Sequence, residues 1–239
     1  MANKQRSNET GRRILLVLVA GLGLACVTDH VVADSKHIVY IEASTVNRWK
    51  LDGFAARTGT DRYRFEALRE YDFDKSRLVK QVLEPGKRSP DAVVVQECSV
   101  YFPGDLDAYK RQYRGWIMDI RARGLPPVIA TIVPPASRKG FTEDTKDFIK
   151  ERVLGRPSQY QQVTAFNEWL RALGKELGVA VFDLEQLLRI SADDRHMRAE
   201  YNEGDGIHLN RSAYELLDRE LQAFLDRLEW KAGRVRGRT

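Results

Sequence analysis

Apolar runs without polar interruptions mark the candidate strands of this chain. Three of them, four to six residues long, lie at 92–95, 128–133 and 179–182, and a fourth lies at 38–41. Strands that are apolar at every position are buried on both faces, which is typical of parallel sheets. Prolines flank the run 128–133 on both sides, where they do not interrupt a central ladder.

Helical periodicity fills the gaps between these runs. Apolar residues recur at helical spacing over 106–120, 160–177 and 213–228. Ser158 is a candidate N-cap, and Gly124 and Gly178 stand where helices should end. Weaker signals predict helices over 46–57 and 74–84 and a short strand at 63–65. Strands that alternate with helices predict a three-layer α/β/α sandwich around a parallel sheet of about five strands.

The N-terminus has the pattern of a targeting segment. A basic stretch ends in Arg12-Arg13, and an uncharged apolar run follows over 14–27, the length of a signal-peptide core. Val31-Val32-Ala33 offers a cleavage site. We therefore predict a signal peptide or membrane anchor over 1–33, a domain over 34–229 and a basic tail over 230–239. Such a protein would be exported, periplasmic or extracellular, with residues 14–27 as the membrane attachment if the leader is retained.

Composition limits the classes of partner. The 239 residues are 43% hydrophobic and 31% charged, which suits a single domain with a sizeable core. The net charge of +5 comes mostly from the leader and the tail, so no basic face for nucleic acid is expected within the domain. The histidines and the two cysteines show no metal-binding motif, and no cofactor is expected. No feature of the sequence indicates an oligomeric state.

Polar clusters follow the first and third candidate strands. The first strand leads into Glu42-Ala43-Ser44-Thr45 and the third into Gln96-Glu97-Cys98-Ser99. Ligands of open α/β sheets bind at the carboxyl ends of the strands, so these clusters are candidates for a binding or catalytic site. Ser44 would stand at the N-terminus of the next helix, where its hydroxyl could act as a nucleophile and its N–H could bind an oxyanion. The alternative is that Ser44 or Thr45 only caps that helix.

A third polar cluster, 205–210, precedes the last helix. Asp205 and His208 are three residues apart in a glycine-containing turn, so the carboxylate can meet one imidazole nitrogen. The other nitrogen is then available to take a proton from a hydroxyl. The alternative is that Asp205 or Asn210 caps the helix and His208 only packs.

These blocks resemble those of the SGNH (GDSL-type) hydrolases. Residues 37–44 resemble the first block of that family, a strand that ends in Gly-Asp-Ser, and 205–210 resemble its last block, Asp-x-x-His. Residues 91–96 stand where the third strand of the family leads to its Gly-x-Asn-Asp block. Residues 166–184 are similar to its penultimate helix and strand. The resemblance covers roughly residues 37–228.

The resemblance implies a flavodoxin-like fold and a serine esterase that removes acetyl or similar groups from a carbohydrate or cell-envelope polysaccharide. It implies a catalytic triad of Ser44 as nucleophile, His208 as base and then acid, and Asp205 as the residue that orients His208. Glu42-Ala43 departs from the Gly-Asp of the family, and the oxyanion-hole asparagine has no counterpart. Gln96 is expected to replace it, beside the backbone N–H of Ser44.

Two other functions remain open from the sequence. A polysaccharide O-acyltransferase would use the same triad and pass the acyl group to a sugar hydroxyl. A non-catalytic carbohydrate-binding protein would keep only the fold, and aromatic residues near the strand ends would stack on sugars. The candidates for stacking are Trp49, Tyr101, Phe102 and Trp116, of which Trp116 has the helical spacing of a core residue.

Overall fold

A computed structural model of the chain describes residues 35–42, 45–70, 73–86, 89–97, 105–137, 157–206 and 208–230. The chain divides between Ala33 and Asp34, and every described residue belongs to the second unit. The described residues form one sheet with the strands β1 (Lys36–Glu42), β2 (Tyr63–Arg69), β3 (Ala92–Gln96), β4 (Pro127–Ala130) and β5 (Ala180–Phe182). All pairings are parallel, in the order β2-β1-β3-β4-β5. The predicted parallel sheet is confirmed.

Helices cover both faces of this sheet. One face carries α1 (Thr45–Trp49), α2 (Phe54–Thr58), α6 (Leu184–Leu188) and α7 (Arg211–Arg227). The other carries α3 (Ser76–Leu83), α4 (Leu106–Ala122) and α5 (Gln159–Leu177). Alternate strand residues enter the two cores, Tyr40 and Val94 on the first face and Val39 and Val93 on the second. The three-layer α/β/α sandwich is therefore confirmed.

The ends of α5 follow the signals in the sequence. The Ser158 hydroxyl accepts a hydrogen bond from the Gln161 N–H, and the Gln161 side chain accepts from the Ser158 N–H, which completes a capping box. Gly178 ends the helix at φ +61°, a left-handed conformation that glycine adopts without strain.

The helix predicted over 46–57 is interrupted at Lys50. This residue has φ +52°, and a 3₁₀ turn, Leu51–Gly53, separates α1 from α2. A continuous helix would point Trp49, Leu51 and Phe54 in different directions. The interruption turns all three into the core, where each is at most 2% exposed.

Strand β4 ends at Ala130, three residues earlier than predicted. The side chain of Asn167 in α5 forms two hydrogen bonds with the backbone of Ile132. The side-chain carbonyl accepts from the Ile132 N–H at 2.7 Å, and the side-chain amide donates to the Ile132 oxygen at 2.9 Å. A side chain from a distant helix therefore replaces the ladder partner, and the apolar run leaves the sheet.

No helix among the described residues combines the length and apolarity needed to cross a bilayer. The apolar run 14–27 and the basic tail from residue 231 lie outside those residues, so the leader, anchor and tail stay predictions.

Gly174 lets α5 approach β5 closely. A Cβ atom at this position would overlap Cγ2 of Val181 and lie 3.1 Å from the Val179 carbonyl oxygen, whereas one at Gly115 of α4 would meet nothing within 4 Å. We expect Gly174→Ala to lower the free energy of unfolding by about 1–3 kcal/mol through overpacking. Gly115→Ala should raise it by about 0.5–1 kcal/mol, since alanine is the better helix former. Urea denaturation measures both, and equal stabilities would contradict the close packing.

Candidate active site

The candidate site lies where the strand order reverses. Strand β1 pairs with β2 on one side and β3 on the other, and Ile41 is opposite Val95. Glu42 and Gln96 therefore end neighbouring strands at the same edge of the sheet. The crevice outside such a switch point is the usual ligand site of open α/β sheets. The polar clusters after the first and third strands thus follow adjacent strands.

Ser44, the predicted nucleophile, lies outside the described residues, as do Ala43, Cys98 and Ser99. The residues on either side of this position are described: Glu42 ends β1 with its side chain buried, and Thr45 begins α1. The role of Ser44 stays a prediction.

Asp205 and His208 contact each other directly. The carboxylate of Asp205 bonds Nδ1 of His208 through Oδ2 and accepts the His208 backbone N–H through Oδ1 at 2.8 Å. The Nε2 atom of His208 has no hydrogen bond to any described residue. The helix cap is Asn210, whose side chain accepts from the Ala213 N–H at 3.1 Å. Asp205 is therefore not needed as a cap and is bound to the imidazole, as predicted.

Asn202 shapes the turn that holds this pair. Its side-chain carbonyl accepts from the N–H groups of Gly204 at 2.7 Å and Gly206 at 3.2 Å, and its amide donates to the His208 oxygen at 3.3 Å. Both glycines have positive φ, +107° and +81°, where a Cβ would be strained. Sequence analysis missed Asn202, although an asparagine two residues before a glycine is a known turn signal.

Two contacts join α1 to this turn and to α7, the helix that follows it. Arg48 of α1 forms an ion pair with Glu203, and the Tyr214 hydroxyl donates to the backbone oxygen of Thr45 at 3.3 Å. Burial raises the pKa of Tyr214. The residue after Ser44 is thus tied to α7, the helix that follows His208.

Asp218 of α7 binds both helices that follow β1. Its buried carboxylate accepts from the Trp49 indole N–H at 2.8 Å and from the Arg57 guanidinium at 2.7 and 3.0 Å. These hydrogen bonds raise the pKa of Arg57. Trp49 is 2% exposed and Trp116 4%, so neither can stack on a sugar, and the role suggested for Trp49 is wrong. Tyr101 and Phe102 lie outside the described residues.

Gln96 and Glu97 point to opposite faces of the sheet. The Gln96 carbonyl accepts from the buried Tyr40 hydroxyl at 2.7 Å, on the face that α1 and α7 cover. Its amide nitrogen is buried and has no hydrogen-bond partner among the residues that the structure describes. Glu97 lies 3.7 Å from the ammonium group of Lys75, and both side chains are fully buried on the other face. Of the two, only Gln96 faces the side that carries α1.

One group among the described residues could hold a metal ion. Single oxygen or nitrogen atoms of Glu203, Asp205 and His208 lie within 4.8 Å of one another, although the sequence has no metal motif. Two of these ligands are already engaged, Glu203 with Arg48 and Asp205 with His208. A cation would compete with both contacts, so they do not favour a metal centre.

The fold is shared with solved hydrolases. A GDSL-like lipase of Bacteroides thetaiotaomicron has a TM-score of 0.56 and 15% identity, over 81% of this chain and 89% of that one. A lipase/acylhydrolase of Enterococcus faecalis has a TM-score of 0.53 and 16% identity, over 83% and 100%. An acetylxylan esterase of Geobacillus stearothermophilus, solved as a catalytic mutant, has a TM-score of 0.53 and 10% identity, over 83% and 97%.

These likenesses establish the fold. The chain has the α/β architecture of the SGNH hydrolases, so the resemblance predicted from the sequence blocks is confirmed at that level. By sequence alone, no family model and no curated protein matches the chain.

The Asp218 contacts give a stability prediction. Asp218→Ala should lower the free energy of unfolding by about 2–4 kcal/mol, because the Trp49 N–H and the partly buried guanidinium of Arg57 lose their acceptor. Asp119→Ala, an exposed aspartate of α4, is the matched control and should change it by less than about 0.5 kcal/mol. Equal losses in urea denaturation would show that Asp218 does not hold these helices.

Proposed function

We propose that the protein is an exported serine esterase of the SGNH type that removes acetyl or other short acyl groups from a carbohydrate. The contact between Asp205 and His208 is the observation that carries this proposal. It lies in the turn before the last helix, within a fold shared with lipases, acylhydrolases and acetylxylan esterases.

The proposed reaction is acyl transfer through Ser44. His208 takes the hydroxyl proton through Nε2 as Ser44 attacks the ester carbonyl, and then gives the proton to the departing sugar oxygen. Water next attacks the acyl-enzyme with His208 again as base. Asp205 holds the tautomer with a proton on Nδ1 and stabilises the imidazolium ion that forms in each step. Asn202 acts as a positioning residue because it holds the turn without touching the substrate.

The oxyanion is assigned to the backbone N–H of Ser44 and the side-chain amide of Gln96. The support is the buried Gln96 nitrogen, since a buried donor without a partner costs about 1–3 kcal/mol and calls for an explanation. The Tyr40 hydroxyl already occupies the Gln96 carbonyl. The nitrogen is therefore the end of the amide that could meet a developing negative charge.

The proposed substrate class rests on two observations outside the triad. Acetylxylan esterases are among the proteins that share the fold. The N-terminal pattern over 1–33 favours export, either with cleavage or with residues 14–27 as an anchor. An exported esterase would have access to acylated polysaccharides of the envelope or surroundings.

The triad is tested with p-nitrophenyl acetate, a neutral ester. Ser44→Ala and His208→Ala should each lower kcat by at least about 10³-fold, because the nucleophile and its base act as one unit. The matched control is His196→Ala: His196 also bonds an aspartate, Asp194, at 2.7 Å, but its ring stacks on Tyr160. That variant should keep kcat within about twofold.

Three outcomes would contradict the proposal. Turnover that survives Ser44→Ala would exclude this nucleophile. A loss of turnover with a chelator, restored by a divalent ion, would move Asp205 and His208 into a metal centre with Glu203. Acyl transfer to an added oligosaccharide faster than hydrolysis would make the protein an acyltransferase.

The role of Gln96 in the oxyanion hole is tested with a double variant, so that the Tyr40 hydroxyl is not left without its acceptor. Tyr40→Phe/Gln96→Met replaces both partners with apolar groups of similar size, a change that costs little stability. Relative to Tyr40→Phe alone, we expect kcat to fall on the order of 10²-fold, the usual cost of losing one oxyanion donor. Equal kcat values would remove Gln96 from the oxyanion hole. A large difference in melting temperature between the two variants would assign it to the scaffold.

A further inference from the structure

A cleft of about 1060 Å³ opens between the helices after β1 and the last helix, α7. This volume is at the upper end of the roughly 300–1,000 Å³ typical of small-ligand pockets and is far larger than an acetyl group requires. Arg48, Glu203 and Asn210 line it. Arg48 belongs to α1, and the other two lie on either side of the Asp205–His208 turn, so the cleft adjoins the proposed site.

The charges of this cleft do not cancel. Each of its three carboxylates has an arginine partner that also lines the cleft: Glu203 with Arg48, Glu215 with Arg211, and Asp218 with Arg57. Two further cations, Lys50 and Arg219, line it without a carboxylate partner among the described residues. Arg219 donates only to the backbone oxygen of Glu215, at 3.1 Å. The residues that line the cleft therefore comprise five cations and three carboxylates, an excess of two positive charges.

Lys50 is also the one non-glycine residue with positive φ in the described part of the chain. Its backbone oxygen accepts from Arg57 at 2.8 Å and from the Gly53 N–H at 2.9 Å, so this conformation is held in place. Glycine or asparagine would adopt it at lower cost. A lysine kept in a strained conformation at the wall of a positive cleft is expected where its charge is used.

We propose that this cleft binds a carboxylate-bearing oligosaccharide, and that the natural substrate is an acylated polysaccharide containing uronic acids. The side chains of Lys50 and Arg219 form ion pairs with the carboxylates of the uronic acids. The polar side chains of Thr58 and Gln222 line the same cleft and can hydrogen-bond sugar hydroxyls. The binding site is independent of the chemistry, whereas the identity of the substrate rests on the proposed esterase function.

The cleft favours a polysaccharide over an anionic membrane. Eight of its fourteen lining residues carry a charge. Of its two aromatic residues, Trp49 is buried, and the hydroxyl of Tyr214 is bonded to the Thr45 backbone. A membrane-binding surface would present apolar side chains beside its cations.

Binding is measured first, because it does not require turnover. Isothermal titration calorimetry compares a deacylated oligogalacturonate with a neutral xylo-oligosaccharide of equal length. We expect the wild-type protein to prefer the acidic ligand and to lose that preference as salt screens the charges. Lys50→Gln/Arg219→Gln should weaken binding of oligogalacturonate about tenfold.

The matched control is Arg111→Gln/Lys175→Gln, which removes two exposed cations from α4 and α5 on the other face of the sheet. It should bind like the wild type. Equal affinity for the acidic and neutral oligosaccharides would overturn the proposal, as would equal losses in the two double variants. Binding to phosphatidylglycerol vesicles but not to oligogalacturonate would also overturn it, in favour of a membrane surface.

Catalysis then separates the two proposals. On acetylated oligogalacturonate, Lys50→Gln/Arg219→Gln should lower kcat/KM about tenfold, with kcat/KM for p-nitrophenyl acetate unchanged. If neither ester is hydrolysed but oligogalacturonate binds as expected, the esterase proposal fails and the binding site stands. If p-nitrophenyl acetate is hydrolysed through Ser44 and the double variant hydrolyses both esters like the wild type, the esterase stands and the proposed substrate is wrong.

Discussion

The buried carboxylate of Asp218 is the contact on which the geometry of the site depends. It accepts hydrogen bonds from Trp49 in α1 and Arg57 in α2, and so joins the helices after β1 to the helix after His208. The proposed nucleophile and its proposed base are more than 160 residues apart in sequence. Without a fixed α7, neither the cleft nor the turn that holds Asp205 would keep its position relative to α1.

Local signals in the sequence were enough to predict much of the fold. Apolar runs located the strands because a strand buried on both faces has no polar positions. Ser158 and Gly178 located the ends of α5, since capping depends on neighbouring residues only. The pairing of Asp205 with His208 was also predictable, because three residues and a glycine turn bring them together within one segment.

The features that sequence analysis missed depend on contacts between distant segments. Strand β4 stops early because Asn167, 35 residues later, binds the backbone of Ile132. The helix after β1 breaks at Lys50 because Trp49, Leu51 and Phe54 must all reach the core. The position of that core relative to the helix cannot be predicted from neighbouring residues. Trp49 was assigned to a binding surface because nothing near it in sequence reveals Asp218 as its partner.

The hydrogen bond between Tyr40 and Gln96 fixes which end of the Gln96 amide can bind a ligand at the switch point. Burial and the nearby Glu42 raise the pKa of Tyr40, and its hydroxyl donates to the Gln96 carbonyl. This bond orients the amide, and within the described part of the chain its N–H end has no partner. The amide N–H of Gln96 can donate to a carbonyl or carboxylate oxygen, but it cannot accept a hydrogen bond from an N–H group or an ammonium ion. The end of the sheet would thus sort ligands by hydrogen-bond direction, whatever reaction follows.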